Sequence, residues 1–357
     1  MTNRERFSRT LRFETVDHPP LMPGYPWTAT RRRWEQEGLT PGADFQEALD
    51  IEPTVLTPVA IETVLFPPFE EKIIEETGEY IIKVDANGVK VRNLRDETSM
   101  PEHLEYPIHG PEDIEWLMGR LNPDAPGRAR PDWLASAQRA RREGKVLFSN
   151  GGMYFGFLNE HMGTERLMTA YYDHPEFVHQ VNDALCRLCE RALGAILPRL
   201  DLDYVGYHED MAYRNGSMIS SAMFREFMTP YYKRVQRVFD GRNVPITIMD
   251  SDGDIRELIP LWIECGITAF LPMEVAAGMD VVRLREEYGR TIGVIGGFDK
   301  RILAGGRSGI KAEVERLRPV IKGGGFIPGC DHGVPPDVSW ENYCYYVKCL
   351  KTVYGMP

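Results

Sequence analysis

Five short apolar runs in the second half of this 357-residue chain are each followed by acidic or imidazole side chains. His208, Glu209 and Asp210 follow Tyr204–Tyr207, and Asp250, Asp252 and Asp254 follow Ile246–Met249. Glu274 follows Phe270–Leu271, Asp299 and Lys300 follow Ile292–Gly297, and Cys330, Asp331 and His332 follow Phe326–Pro328. Carboxylates crowded at one place repel one another and take up protons unless a cation holds them, so the pattern points to a divalent metal. Asp250 and Asp252 stand two apart, which puts both on one side of an extended chain. Glu274 and His332 complete a mixed oxygen and nitrogen set of the kind Zn2+ accepts, with a position left for substrate. Other roles compete for the same residues. Asp254 suits the cap of a helix starting near Ile255, and Asp250 fits a cap as well as a ligand. His332 is either a ligand or a hydrogen-bonded imidazole behind one, and Cys330 either a ligand or a small buried filler, with His332 the favoured ligand. A calcium loop is excluded, because Ile255 stands where glycine is needed and Leu261 where glutamate is needed.

Those residues need a scaffold that gathers strand ends. Apolar runs at Val146–Phe148, Tyr204–Tyr207, Pro245–Ile248, Ala269–Leu271, Ile292–Ile295 and Phe326–Ile327 alternate with amphipathic helical segments. Such segments include Ala222–Phe239, Ile255–Cys265, Val281–Tyr288 and Ile310–Lys322. Strands alternating with helices form parallel βαβ units. Six of them, with one or two more near the N-terminus, predict a (β/α)₈ TIM-type barrel as one domain over residues 1–357, with its chemistry at the C-terminal strand ends. An N-terminal helix around Phe7 and Leu11 stops at Pro19-Pro20, and Leu21–Trp27 reads as the first strand. The run Tyr80–Val91 alternates around Asn87-Gly88 and predicts an inserted β-hairpin. No G-x-G-x-x-G follows the first strand, which argues against a dinucleotide fold.

Composition narrows the partners. The formal charge is −11, and basic residues are scattered apart from Arg31-Arg32-Arg33, so no nucleic-acid partner is expected. No apolar leader and no run of 18 apolar residues is seen, so a cytoplasmic protein without a membrane span is expected. Six cysteines in a chain of this size fit a reducing compartment better than a disulfide framework. Cys186 and Cys189 form a C-x-x-C, but inside the helical run Val181–Leu197, with no βαβ turn beside it.

Three segments resemble a known family. Thr2–Pro20 (TNRERFSRTLRFETVDHPP) is similar to the opening of uroporphyrinogen-decarboxylase-like proteins, and Phe326–Tyr343 (FIPGCDHGVPPDVSWENY) to their closing signature. Asp203–Val235 resembles their middle motif, so the likeness covers nearly the whole chain. It implies the same barrel and one of two activities: porphyrinogen decarboxylation without a cofactor, or zinc-dependent methyl transfer to or from cobalamin carried on a partner protein. In the methyltransferases a His-x-Cys-Gly and a late Cys hold the metal. Here Asp250-Ser251-Asp252-Gly253 stands at the first place and His332 at the second. Carboxylate and imidazole make a harder Lewis acid than thiolate and prefer oxygen. Such a site would polarise an ether oxygen as Co(I) attacks the methyl carbon.

The resemblance therefore implies a corrinoid-protein-dependent methyltransferase that demethylates a small oxygen-linked donor, of the methoxylated aromatic type. Asp250, Asp252, Glu274 and His332 would hold Zn2+. Glu209 or Asp210 would orient substrate or relay a proton, with His208 a further candidate. Tyr25, Trp27, Tyr154, Phe155, Tyr207 and Phe298 are candidate aromatic walls, with core packing as their alternative role. The competing reading is a metal-free decarboxylase-like lyase acting on a carboxylated ring. It is the less favoured one, because a polycarboxylate needs several cations and these strand ends are acidic.

Overall fold

The computed structural model describes residues 1–95, 100–239, 241–242 and 244–356. Its centre is a curled, seven-stranded parallel sheet. The strands are β1 (Leu56–Pro58), β6 (Val146–Gly152), β7 (Tyr204–His208), β10 (Thr247–Asp250), β11 (Ala269–Leu271), β12 (Gly293–Phe298) and β13 (Phe326–Cys330), hydrogen-bonded in that order. Helices cross between successive strands: Pro175–Ile196 before β7, Thr229–Phe239 before β10, Val281–Tyr288 before β12 and Arg307–Gly323 before β13. The segment Ala222–Phe239, expected as one helix, is two, Ser221–Phe227 and Thr229–Phe239.

An excursion between β1 and β6 forms a four-stranded antiparallel sheet of β2 (Lys72–Glu76), β3 (Tyr80–Val84), β4 (Lys90–Leu94) and β5 (Glu102–Glu105). The hairpin read around Asn87-Gly88 is its centre, with Val84 opposite Lys90 and Gly88 at φ +82°. The remaining strands, β8 (Ala212–Tyr213) and β9 (Gly216–Ser217), make a small ribbon just beyond β7. Among the described residues no helix is long and apolar enough to cross a membrane.

The expected closed barrel needs an eighth strand, and Leu21–Trp27 does not form one. It lies along the end of β13 through isolated bonds: Cys330 N–H donates to the Pro23 carbonyl, Val334 N–H to Tyr25 and Trp27 N–H to Val334. Pro23 and Pro26 have no N–H to offer, so the segment cannot sustain a ladder.

Period-two alternation separates two cores. Val146, Tyr204, Ile246, Ile248, Ala269 and Ile327 form one buried cluster with Phe7 and Leu11 of the N-terminal helix Asn3–Leu11, so this helix fills the hollow of the curled sheet. The helix is started by a capping box between Thr2 and Glu5. The intervening strand residues, among them Leu147, Val205, Tyr207, Met249, Phe270, Phe298 and Phe326, join the larger core beneath the crossover helices. Each strand thus presents alternate residues to the hollow and to the helices. Cys186 and Cys189 lie in the second core, where burial pushes both thiols up.

Candidate active site

Strand register decides which polar residues meet. In the parallel pair β7 and β10, His208 stands opposite Asp250. Both continue the inward-facing series, His208 four residues after Tyr204 and Asp250 two after Ile248. Their side chains therefore emerge together at the C-terminal end of the hollow. The ladder runs on past the strands, because Glu209 N–H donates to the Asp250 carbonyl and Ser251 N–H to Leu271. Asp210, with φ +44°, turns back so that its carboxylate accepts the Asp252 N–H at 3.0 Å.

Two imidazole–carboxylate pairs result. His208 Nε2 lies 3.3 Å from Asp210 and 3.9 Å from Glu160, while its Nδ1 lies 3.4 Å from Asp250. His332 Nε2 lies 3.0 Å from Asp252 Oδ1. Asp252 joins the pairs, since its side chain meets His332 and its N–H meets Asp210.

The bonds to Asp210 and Asp250 push the His208 pKa up to about 11 against the opposing effect of burial. Asp252 likewise raises that of His332, with burial and the nearby Lys300 charge opposing. Burial works to raise Asp210, but the bond and charge of His208 outweigh it and hold the carboxyl below its usual range. Burial raises Glu160. The His208 imidazole is therefore a cation at neutral pH, Asp252 favours the protonated form of His332, and both rings remain partly open to solvent.

This geometry corrects the metal expectation. Among the described residues, no three His, Cys, Asp or Glu side chains converge as metal ligands. The four expected Zn2+ ligands are committed elsewhere: Asp250 to His208, Asp252 to His332, and Glu274 to the Gly253 N–H at 2.9 Å. Asp250 and Asp252 part company because the chain leaves the strand after Asp250 and turns through Gly253 at φ +85°. These residues do not form the expected Zn2+ site. The expected cobalamin-dependent methyl transfer to a corrinoid partner needs that Lewis acid, and this site does not supply it. Asp254 does not cap a helix starting at Ile255, since that helix begins at Ile259; it binds the Arg256 N–H and guanidinium instead.

Glu209 takes a place apart from His208 and Asp210. It is fully buried and accepts the Tyr154 and Gly156 N–H groups and the Tyr232 hydroxyl at 2.6 Å. Burial raises its pKa against those donors. It ties the start of the helix Phe155–Met162, which carries Glu160, to the end of β7. Tyr154, Phe155, Tyr207 and Phe298 are buried in the helix-side core, as the outward phase of Tyr207 and Phe298 in their strands requires. Tyr25 is exposed, and the half-buried Trp27 lies against Gly333, next to His332.

Two groups at this mouth escaped the sequence reading of roles. Glu160 sits inside the helix Phe155–Met162, where no strand-end pattern marks it. Lys300 was visible after β12, but nothing in sequence says that its ammonium reaches the end of β13. There its Nζ lies 3.8 Å from Asp331 Oδ1.

Comparison with known proteins bears on this site. The uroporphyrinogen decarboxylase (URO-D) family matches residues 2–353. The uroporphyrinogen decarboxylase of Azotobacter vinelandii is 28% identical over 94% of this chain and 93% of its own length. That of Vesicomyosocius okutanii is 23% identical over 73% of this chain and 70% of its own. A solved methyltransferase from Methanosarcina mazei shares the fold, with a TM-score of 0.64 at 17% identity over 99% of both chains.

Proposed function

The chain belongs to the uroporphyrinogen decarboxylase family, and from that premise we propose that it releases CO2 from a carboxylated ring by acid–base chemistry at the mouth of the curled sheet. The observation that carries this reading is the His332–Asp252 pair, a partly exposed imidazole whose protonated form a carboxylate at 3.0 Å favours. Loss of CO2 from an electron-rich ring needs a proton on the carbon that bears the carboxylate. The His332 imidazolium delivers it, a C–H bond forms, and the pair of the breaking C–C bond returns to the ring as CO2 departs. The net change is ring–COO⁻ plus H⁺ giving ring–H plus CO2, and solvent reprotonates His332. Asp252 supports the imidazolium before transfer, and Asp210 fixes Asp252 through its N–H.

The acidity that counted against this reading in sequence is offset here, because three cations, His208, His332 and Lys300, lie among the carboxylates. That balance suits a small ring with few charges rather than a polycarboxylate. Glu160, Asp210 and Asp250 around His208 would repel a polyanion.

The test is release of labelled CO2 from a panel of carboxylated pyrroles and benzenes. His332→Gln, which keeps a hydrogen-bonding side chain but no transferable proton, should lower kcat by about 10²- to 10⁴-fold. Asp252→Asn should lower it less. No CO2 from any member with folded native protein would sink the proposal.

A further inference from the structure

Two polar groups meet beside the proton donor with their hydrogen-bonding capacity unmet. Lys300 Nζ offers three N–H donors. Among the described residues its ion-pair partner is Asp331 Oδ1 at 3.8 Å, a distance too long for a hydrogen bond. Asp331 is 1% exposed; its Oδ2 accepts the Val275 N–H at 3.1 Å, but its buried Oδ1 has no donor. The adjacent His332 also has a buried ring nitrogen, Nδ1, without a partner. A buried carboxylate oxygen left unbonded is costly, so such groups in a part-open mouth mark where a ligand's polar atoms belong. Nothing in the proton transfer by His332 and Asp252 uses Lys300 or Asp331.

We propose that Lys300 and Asp331 together recognise a ring carboxylate that carries an O–H donor on the neighbouring ring carbon. This rests on the decarboxylase reading and narrows it to a substrate class. The ammonium and the free carboxylate oxygen are complementary to an acceptor and a donor side by side, which an ortho-hydroxy acid presents on one edge. The carboxylate takes the Lys300 N–H groups, and the hydroxyl donates to Asp331 Oδ1. A hydroxyl in that position feeds electron density to the carbon bearing the carboxylate, the atom that His332 must protonate. Its bond to Asp331 strengthens that donation. Lys300 is a binding residue on this account, and Asp331 selects the isomer.

Calorimetry with 2-hydroxybenzoate and 4-hydroxybenzoate tests the assignment, because the two isomers carry the same charge and the same donor. Native protein should bind the 2-isomer at least about tenfold tighter, the worth of roughly one charge-assisted hydrogen bond. In Asp331→Asn the amide oxygen can stay on the Val275 N–H and turn its NH2 toward the ligand. The preference should then shrink to within about threefold. Lys300→Gln should weaken both isomers about tenfold, and Lys300→Arg should restore most of the loss. Equal binding of the isomers by native protein, or an unchanged preference in Asp331→Asn, overturns the assignment. CO2 release from a ring lacking the ortho donor, without isomer preference, would defeat this inference and leave the decarboxylase reading. A Lys300- and Asp331-dependent preference without CO2 release from any ring would do the reverse.

Discussion

The chemistry at the mouth is set by which partner each imidazole finds. Carboxylates favour the charged form of both His208 and His332, Asp210 and Asp250 in one case and Asp252 in the other. Raising a pKa on folding stabilises the charged form. The stabilisation is fully present below the ordinary imidazole value near 6.5 and is lost as pH climbs through the elevated folded value. For His208 that loss falls at about pH 11. Ring-nitrogen NMR should therefore show His208 as imidazolium throughout pH 6–9, with His208→Gln identifying its signals. A midpoint near 6.5 would contradict the ion-pair geometry. His332 should lose its proton above the ordinary imidazole value as well, so CO2 release should fall as pH climbs through that raised value. A rate that instead rises as the imidazole loses its proton would show His332 acting as a base.

At the scale of elements, the loop after β10 does the positioning. It carries Asp252 to His332, and backbone contacts hold it, among them Asp252 N–H to Asp210 and Gly253 N–H to Glu274. Gly253 is required twice over. Its φ of +85° lies in the left-handed region, and a Cβ there would sit 2.5 Å from the Ala212 carbonyl of β8. Gly253→Ala should destabilise the fold by more than about 1 kcal/mol in denaturant titration and lower activity in parallel. An unchanged midpoint with full activity would mean that the loop reaches the same geometry another way. The antiparallel sheet shows a different use of local structure. Its two edge strands, β2 and β5, each carry a register shift and charged side chains, features that discourage pairing with another chain.

For the whole molecule, the hollow of the curled sheet is filled from below by the N-terminal helix. Phe7 and Leu11 pack among residues of six strand segments. Leu11→Ala should therefore cost about 2–5 kcal/mol of unfolding free energy, the range for a buried leucine truncation, measured from the urea midpoint. A loss below 1 kcal/mol would mean that the helix is an accessory. The sequence alone determined the alternation of strands and helices, the hairpin at Asn87-Gly88, and the strand ends where His208, Asp250 and His332 would stand. These follow from local periodicity and turn chemistry, which neighbouring residues carry themselves. Tertiary structure decided the rest. Register set His208 against Asp250, and the turn at Gly253 sent Asp252 to His332, so an expected metal set became two ion pairs. Packing brought Lys300 to Asp331 and hid Tyr207 and Phe298 beneath the helices. Such pairings join residues up to 80 positions apart, and the local sequence around either partner says nothing about the distance between them.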